Sequence, residues 1–273
     1  MNRPFGFDPW IRVVGASLAM MLATVSAWAE SCDVDKYVTK AIGVEEPWVE
    51  NAGYLFTQVA HHGSPRTVTL APELEVRFTD RLGMELDLPA YTAREPLGRA
   101  ASAFGPLAAG LKAVAIQTCD LIAGRATVLT GEIEGQYWSD ARPSVLPGQG
   151  NSMTGQAMWA EFWRPWFSEG QIGYTQRVGS GIISGWFVNT SFGRALNSAW
   201  AAQLELAVDN QLILTDNHHG IEGSLIPQIS YRPSSQWLVA LGEQASLEQG
   251  IPRTGWSTWL MIERDFSDRD DPD

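Results

Sequence analysis

Charged side chains recur at every second position within residues 67–91, where the sequence pattern is clearest. Glu73, Glu75 and Arg77 share one parity, and Glu85 and Asp87 share one parity after a turn. Two carboxylates on one face of a strand are spaced for general acid/base chemistry or for Ca²⁺ binding, and they equally suit the wall of a wet lumen. Because alternation gives such pairs in any lumen strand, we interpret them as lumen residues.

The strands that carry these charges have one apolar and one polar face. Over residues 67–78 apolar side chains keep one parity, which is the period of a β-strand. Residues 79–83 form a turn, and the alternation resumes at Met84, which predicts an antiparallel hairpin. About ten alternating residues are enough to cross the hydrocarbon layer of a bilayer. The pattern therefore predicts a hairpin of a membrane barrel.

The same stretch carries a resemblance to a known family. ELEVRFTDRLGMELDLP resembles the opening hairpin of bacterial outer-membrane proteins associated with the meta-cleavage pathway of phenol degradation. The family follows this hairpin with a Gly-rich strand that ends in Leu-Lys, and FGPLAAGLK at residues 104–112 is similar to it. The resemblance covers residues 54–118. It implies an outer-membrane barrel with a role in transport of aromatic or hydrophobic compounds, and it implies no catalytic residues.

The N-terminus has the features of a secretory signal peptide over residues 1–29. Arg3 and Arg12 form a basic region, residues 13–25 are apolar without charge, and Ala27-Trp28-Ala29 is an A-x-A cleavage site. The apolar run is shorter than the roughly 20 residues that a membrane-spanning helix needs. The sequence therefore predicts export of the chain.

Composition favours a barrel over a soluble periplasmic domain. The 273-residue chain is 45% hydrophobic and 18% charged, with 26 glycines and 12 tryptophans, and its apolar residues are interleaved with polar ones. The formal net charge of −12 argues against nucleic acid as a partner. In a lumen, this charge would favour cations or neutral solutes.

The fold prediction is an all-β, transmembrane, antiparallel up-and-down barrel of about 12 strands. A periplasmic segment, residues 30–53, precedes the barrel, residues 54–266, and an acidic tail, residues 267–273, follows it. A short helix is expected over residues 35–42. The predicted strands are residues 54–62, the two strands of the central hairpin, and then 105–118, 121–134, 153–166, 170–178, 184–195, 199–209, 221–232, 236–247 and 254–266.

The lengths of the connections give an orientation. With a periplasmic N-terminus, the connections on the periplasmic side are all short, whereas those on the other side are mostly longer, which is typical of outer-membrane barrels. The short set is residues 79–83, 119–120, 167–169, 196–198 and 233–235, and the longer set is 93–104, 135–152, 210–220 and 248–253. The register of the strands at 105–118 and 236–247 stays open, because apolar and small residues there occupy both parities.

Tryptophans near strand ends predict aromatic girdles at the two membrane interfaces, and core packing is the alternative. The final strand has Leu260, Ile262 and Phe266 on one parity, similar to the C-terminal strand that the barrel assembly machinery recognises. The predicted girdle residues are Trp138, Trp163, Trp166, Trp186, Trp200, Trp237 and Trp256.

Histidines are the other candidates for chemistry. His61-His62 and His218-His219 would lie at the extracellular rim, where they could bind a divalent metal or simply be solvated; we adopt the second interpretation. His62 and Ser64 have the spacing of the His and Ser in the outer-membrane phospholipase A family, but Pro65 follows at once and no residue is placed to orient His62. We therefore predict no enzymatic activity, no cofactor and no metal.

These residues make a small-solute channel or transporter in the bacterial outer membrane the leading functional hypothesis, with outer-membrane lipids, the assembly machinery and a small solute as partners. A lipid hydrolase and a structural barrel are the alternatives. Charged residues on the lumen parity could line an open path or cross-link a closed one. The predicted lumen residues are Glu73, Glu75, Arg77, Glu85, Asp87, Arg125, Arg177, Glu205, Asp209, Glu222, Arg232 and Glu263.

The face assignment can be tested at two neighbouring positions. Leu204→Arg places a charge on the lipid parity in mid-strand, and we expect it to cost about 2–4 kcal/mol of folding free energy, whereas Glu205→Arg on the lumen parity should cost much less. Folding into lipid vesicles, followed over a urea series, measures both. Equal costs would contradict the assignment.

The two cysteines can also be tested. Export allows a disulfide, and Cys32 and Cys119 form the one intramolecular pair in this sequence. Both would lie on the periplasmic side, so a bond would hold the leading segment across the barrel opening as a plug or lid. The closed loop of about 90 residues corresponds to about 4–5 kcal/mol in the chain-entropy model. Mass spectrometry after alkylation of non-reduced protein decides: we expect no labelling, and free labelling of both thiols would contradict the bond.

Overall fold

A computed structural model shows the chain as a closed antiparallel β-barrel. The barrel is built from fourteen strand segments that form one continuous sheet. The structure describes residues 39–61, 66–94, 101–120, 123–137, 151–177, 185–213, 218–248 and 251–266.

The alternating stretches of the sequence become the strands of the barrel wall. Most segments have 10 to 17 residues, long enough to cross a bilayer when tilted. In chain order the segments are β1 (Ala52–His61), β2 (Arg66–Thr79), β3 (Leu82–Asp87), β4 (Tyr91–Arg94), β5 (Ala101–Phe104), β6 (Leu107–Asp120), β7 (Arg125–Tyr137), β8 (Ser152–Trp163), β9 (Trp166–Arg177), β10 (Gly185–Ala195), β11 (Trp200–Ile213), β12 (His218–Ser234), β13 (Trp237–Glu248) and β14 (Ile251–Asp265).

Twelve strands close the barrel, as the sequence predicts. Each strand pairs with its neighbours in the chain, and β1 closes the ring by pairing with β14 on one edge and β2 on the other. Segments β3 and β4 pair with successive parts of β2 and together make one strand. In the same way β5 and β6 together make the next strand, since they pair with β4 and β3.

Prolines explain the two interrupted strands. Pro89 lies between β3 and β4, and Pro106 lies between β5 and β6, where a residue without an N–H cannot continue a ladder. The chain is held across the break by Leu88 N–H, which donates to the Pro72 carbonyl at 3.0 Å, and by Gly105 N–H, which donates to the Ala90 carbonyl at 2.6 Å. The break is therefore local and the wall stays continuous.

The two faces of the wall differ as the alternation predicts. Leu204 is 47% exposed on the outer surface, whereas the adjacent Glu205 is 1% exposed and faces the interior. Large apolar side chains are exposed on the outer face of nearly every strand, far more than a soluble monomer shows. This outer surface is one that lipid covers.

Short connections lie at one end of the barrel, which we call the turn end. They join β2 to β3, β6 to β7, β8 to β9, β10 to β11, and β12 to β13. At the other end, the loop end, the longest connection runs from Tyr137 to Ser152. The predicted long connection at residues 135–152 is thus present, whereas most of residues 210–220 and 248–253, also predicted as longer connections, belong to β11, β12, β13 and β14. The periplasmic position of the turn end stays a prediction.

Two predicted turns are wrong. Residues 119–120 belong to β6, where they pair with Ala126 and Arg125. Residues 167–169 belong to β9, and the chain reverses at Arg164-Pro165, between the paired Trp163 and Trp166. Proline suits a turn position because it lacks the N–H that a ladder requires. The shift moves Phe167 into the barrel interior, where it is fully buried.

Aromatic residues form belts near both ends of the barrel. At the turn end Trp166 stacks on Phe192 with ring centroids 5.3 Å apart, and Trp200 lies 4.5 Å from Tyr231. At the loop end Trp256 stacks on His61 at 4.2 Å. The girdle interpretation of Trp166, Trp186, Trp200, Trp237 and Trp256 agrees with their exposed outer positions, Trp163 is half-buried, and Trp138 lies outside the described residues.

The structure assigns the two registers that the sequence leaves open. Segment β6 pairs with β7 across a shift between Val114 and Ile116, and β13 pairs with β14 across a shift between Ala245 and Leu247. In β6 the shift changes parity, because Val114 is buried and Ile116 is exposed, so no single alternation fits this strand. In β13 the inward positions keep one parity from Leu238 to Gly242, and the shift adds two residues to β14. The bulge therefore explains the ambiguous sequence pattern of β6.

The N-terminal segment differs most from expectation. Residues 39–51 contain no helix and lie inside the barrel rather than in the periplasm ahead of it. The described residues include no helix long and apolar enough to cross a membrane. The predicted signal peptide, residues 30–38 and the tail at 267–273 lie outside the described residues, and the recognition of the last strand by assembly machinery stays a prediction.

Candidate functional site

Residues 39–51, which we call the plug, occupy the lumen. Most of them are buried, and they contact wall strands on every side of the barrel. Pro47, followed by bulky Trp48 and Val49, disfavours a helix here, and the extended chain leaves its backbone groups free to bond with the wall. The plug therefore replaces the water that would otherwise fill this level of the lumen.

Wall side chains bind the plug backbone. Glu205 accepts N–H groups from Ile42 at 2.6 Å and from Gly43 at 2.8 Å, so its two oxygens hold successive peptide groups. Gln228 accepts from Ile42 N–H at 3.0 Å and donates to the Lys40 carbonyl at 2.9 Å. Further bonds join Gln171 to Glu45 N–H, Asn189 to the Gly43 carbonyl, Thr130 to the Pro47 carbonyl and Asn51 to Arg77 N–H.

Apolar contacts hold the two ends of the plug. Trp48 and Val49 pack with Val128, Phe162 and Phe167 in one buried cluster. Ile42 packs in a second buried cluster with side chains of β1, β13 and β14, namely Ala52, Tyr54, Leu238, Ala240 and Met261.

Two wall glycines make room for the plug. A Cβ at Gly83 would lie 2.9 Å from Val49 Cγ1, and a Cβ at Gly242 would lie 2.8 Å from Ile42 Cδ1. Both distances are shorter than van der Waals contact, so the plug could not lie this close to a larger residue.

Lys112 forms the first of two charge centres. It is inward on β6 and 1% exposed, and its ammonium lies 2.7 Å from Glu75 Oε1 and 2.6 Å from Glu85 Oε2. The plug residue Glu45 contributes a third carboxylate at 3.5 Å. A buried ammonium with this many carboxylates stays charged and fixes the wall strands around it.

Lys40 forms the second charge centre and belongs to the plug. Its ammonium lies 2.6 Å from Glu46 Oε2 and 3.1 Å from Glu73 Oε1. It also lies 3.5 Å from the centroid of the Tyr54 ring and 5.3 Å from that of Phe56. Burial alone would lower the pKa of Lys40, but the carboxylates of Glu46 and Glu73 raise it well above its ordinary value.

Carboxyl groups outnumber ammonium groups in this region of the described lumen. The two lysine ammoniums interact with six carboxylates, Glu45, Glu46, Glu73, Glu75, Glu85 and Glu132. The ligand oxygens of Glu45, Glu73, Glu75 and Glu85 lie within 4.8 Å of one another, a spacing that a metal ion could use. The ammonium groups contact the same carboxylates, Lys40 at Glu73 and Lys112 at Glu45, Glu75 and Glu85.

Most predicted lumen residues are inward. Glu73, Glu75, Glu85, Glu205 and Glu263 are buried in the interior. Half-buried side chains on the same inward parity are Arg77, Asp87, Asp209 and Arg232.

Three other predicted lumen residues differ. Arg125 is exposed at the turn end, one position out of phase with the inward Ala126 and Val128, so its assignment to the lumen wall is wrong. It borders a vestibule of about 560 Å³ together with Arg164 and Arg232. The side chains of Arg177 and Glu222 lie outside the described residues.

The sequence pattern does not identify the residues that complete the site. Lys112 lies in the strand of uncertain register, and Lys40, Glu45 and Glu46 lie in a segment without alternation. A sequence signal existed for Lys112, because a lone lysine within the apolar and small residues of β6 requires a carboxylate partner. For the plug residues no periodic signal exists.

The cysteines and histidines are only partly within the described residues. Cys119 lies at the end of β6 and is disulfide-bonded, while Cys32 lies outside the described residues, so their pairing stays a prediction. His61 stacks on Trp256 in the loop-end belt instead of facing a shared metal site. His62, Ser64 and the side chains of His218 and His219 lie outside the described residues.

Comparisons with known proteins show the fold. No family model and no curated protein sequence matches the chain. Among solved structures, an outer-membrane channel from Pseudomonas putida F1 is similar with a TM-score of 0.59 and 12% identity, over 84% of this chain and 100% of that one. The NanC porin is similar with a TM-score of 0.53 and 6% identity, over 78% and 98%. With its apolar outer face, this barrel lies in the bacterial outer membrane.

The Lys112 centre can be tested by removing its ammonium. Lys112→Met leaves Glu75 and Glu85 buried without a cation, and we expect a loss of about 3–5 kcal/mol in the free energy of unfolding. Urea unfolding in detergent micelles, followed by the heat-modifiable gel mobility of barrels, measures the change. Lys112→Met/Glu85→Gln removes one uncompensated charge and should recover part of the loss. A Lys112→Met barrel as stable as the parent would contradict the role of the ion pairs.

Proposed function

We propose that this protein is a gated outer-membrane channel for a small solute, with the plug as its gate. The observation that supports this best is the manner in which the plug is held. Besides two apolar clusters and the ion pairs of Lys40, its backbone is bound by the side chains of Glu205, Gln228 and Gln171, and water can replace these hydrogen bonds. Exchangeable bonds in a polar lumen suit a segment that moves.

The charges of the lumen favour particular solutes. Six carboxyl groups surround two ammonium groups in the lumen, and a wall rich in carboxyl oxygens favours a cation over an anion in a narrow passage. Inward aromatic side chains, Phe56 and Trp259, add apolar surface to the wall. A small cation or neutral molecule with an apolar part fits this wall, and an aromatic solute is what the resemblance to the phenol-pathway family implies.

A transport role is also consistent with the two similar structures, which are described as a channel and a porin. A structural barrel would need no charged lumen, and a packed apolar interior would stabilise it at lower electrostatic cost. We propose no enzymatic activity, and the residues of the lipid-hydrolase alternative, His62 and Ser64, lie outside the described residues.

Conductance in planar bilayers tests the gate. Glu205→Ala removes the acceptor of two plug N–H groups, so we expect the plug to leave its position more often and the time-averaged current to rise several-fold over the parent. Reversal potentials in a KCl gradient should show preference for the cation.

Glu161→Ala is the matched control, because Glu161 is an exposed glutamate on β8 away from the plug, and it should conduct like the parent. If neither the parent nor Glu205→Ala conducts after correct folding, the channel proposal is wrong. If Glu205→Ala and Glu161→Ala conduct equally, the plug is not the gate.

A further inference from the structure

The Lys40 ammonium occupies a binding site that the barrel wall largely supplies. Of its four neighbours, Glu73, Tyr54 and Phe56 belong to the wall, and Glu46 belongs to the plug. A carboxylate at 3.1 Å and an aromatic face at 3.5 Å are the groups that bind ammonium ligands in proteins. The cation observed here is the chain's own side chain.

The strand register places the wall groups together. Tyr54 on β1 lies directly opposite Glu73 on β2, and both are inward and buried. Phe56 follows Tyr54 on the same face, and their ring centroids are 6.0 Å apart with the planes inclined by 25°. Because these groups sit on adjacent paired strands, they keep their arrangement when the plug is elsewhere.

A second contact fixes the Tyr54 ring. In the plugged state its hydroxyl donates to Glu50 Oε1, a carboxylate of the plug, and the ring lies with its face toward the ammonium. On the wall, the Glu75 carboxyl group lies near the same point. The site is therefore shaped for a cation that has lost much of its water, as an alkylammonium does more readily than Na⁺.

From this geometry we infer that Tyr54, Phe56 and Glu73 form a binding site for a small organic ammonium solute, which Lys40 occupies in the plugged state. This rests on the proposed function, since a solute takes the site when the plug moves. The Lys40 ammonium then occupies the position that the ammonium group of the solute would take. Solute and plug compete for one site, so the solute itself favours the open state.

Chemical complementation tests the site without requiring conduction. Lys40→Ala removes three carbons and the ammonium, which is the composition of propylammonium. In folded Lys40→Ala protein we expect propylammonium chloride to raise the thermal unfolding midpoint, with saturation, by about 3 °C. Sodium chloride and 1-propanol at equal concentration should give no such shift, because one lacks the alkyl group and the other lacks the charge.

The parent protein and two variants serve as controls for the complementation. The parent protein should show no shift, because Lys40 fills the site. Lys40→Met should show none, because its side chain fills the space that the alanine leaves open. Lys40→Ala/Glu73→Gln should lose most of the shift because the wall carboxylate is gone. If Lys40→Ala alone fails to fold, the same comparison is made with Lys40→Ser.

The outcomes separate this inference from the channel proposal. A propylammonium shift that is absent in folded Lys40→Ala, or equal in Lys40→Met, or unchanged by Glu73→Gln, overturns the ammonium site even if the barrel conducts. A saturable shift with the expected controls establishes the site even if no current is found, in which case only the channel proposal fails. In bilayers, we expect propylammonium to permeate better than Na⁺ through Glu205→Ala, and Tyr54→Leu to reduce that preference.

Discussion

Charge neutralisation inside a closed barrel is the constraint on which the rest of this structure depends. The wall turns carboxylates inward on β2, β3 and β7, and such groups are costly to bury unless cations face them. Within the described lumen, Lys112 on the wall and Lys40 on the plug face them. The plug is therefore part of the electrostatic structure of the barrel as well as an obstruction of its lumen.

Much of the fold could be predicted from the sequence because a barrel wall is a repeated local pattern. Leu204 and Glu205 differ by one position and face lipid and lumen, and this follows from the pleat of a strand alone. The positions of the turns were harder to predict. The stretch from Trp163 to Phe167 offers turn residues at more than one position, and only the pairing of Trp163 with Trp166 shows where the chain reverses. The bulges at Val114 and Ala245 are set by neighbouring strands, which local alternation does not record.

The plug could not be predicted, for a physical reason. Its conformation is fixed by bonds to residues far away in the chain, such as Ile42 to Glu205 and Lys40 to Glu73, and not by its own periodicity. The inward charges were therefore identified on the wall without their partners. The sequence nevertheless indicates a requirement for cations. Glu73, Glu75 and Glu85 face inward with the single Arg77, so further positively charged partners must come from elsewhere in the chain.

The same requirement links gating to the solute. When the plug leaves, Lys40 leaves together with the plug residues Glu45, Glu46 and Glu50, and Glu73 faces the lumen without the ammonium that it contacts in the plugged state. An incoming ammonium takes the place of Lys40 at Glu73, so opening is least costly when a cation of the right chemistry is present. A plug held only by apolar contacts would show no such dependence, because its removal would leave no wall carboxyl group without a cationic partner. Selection of the solute and release of the gate are then consequences of one electrostatic requirement.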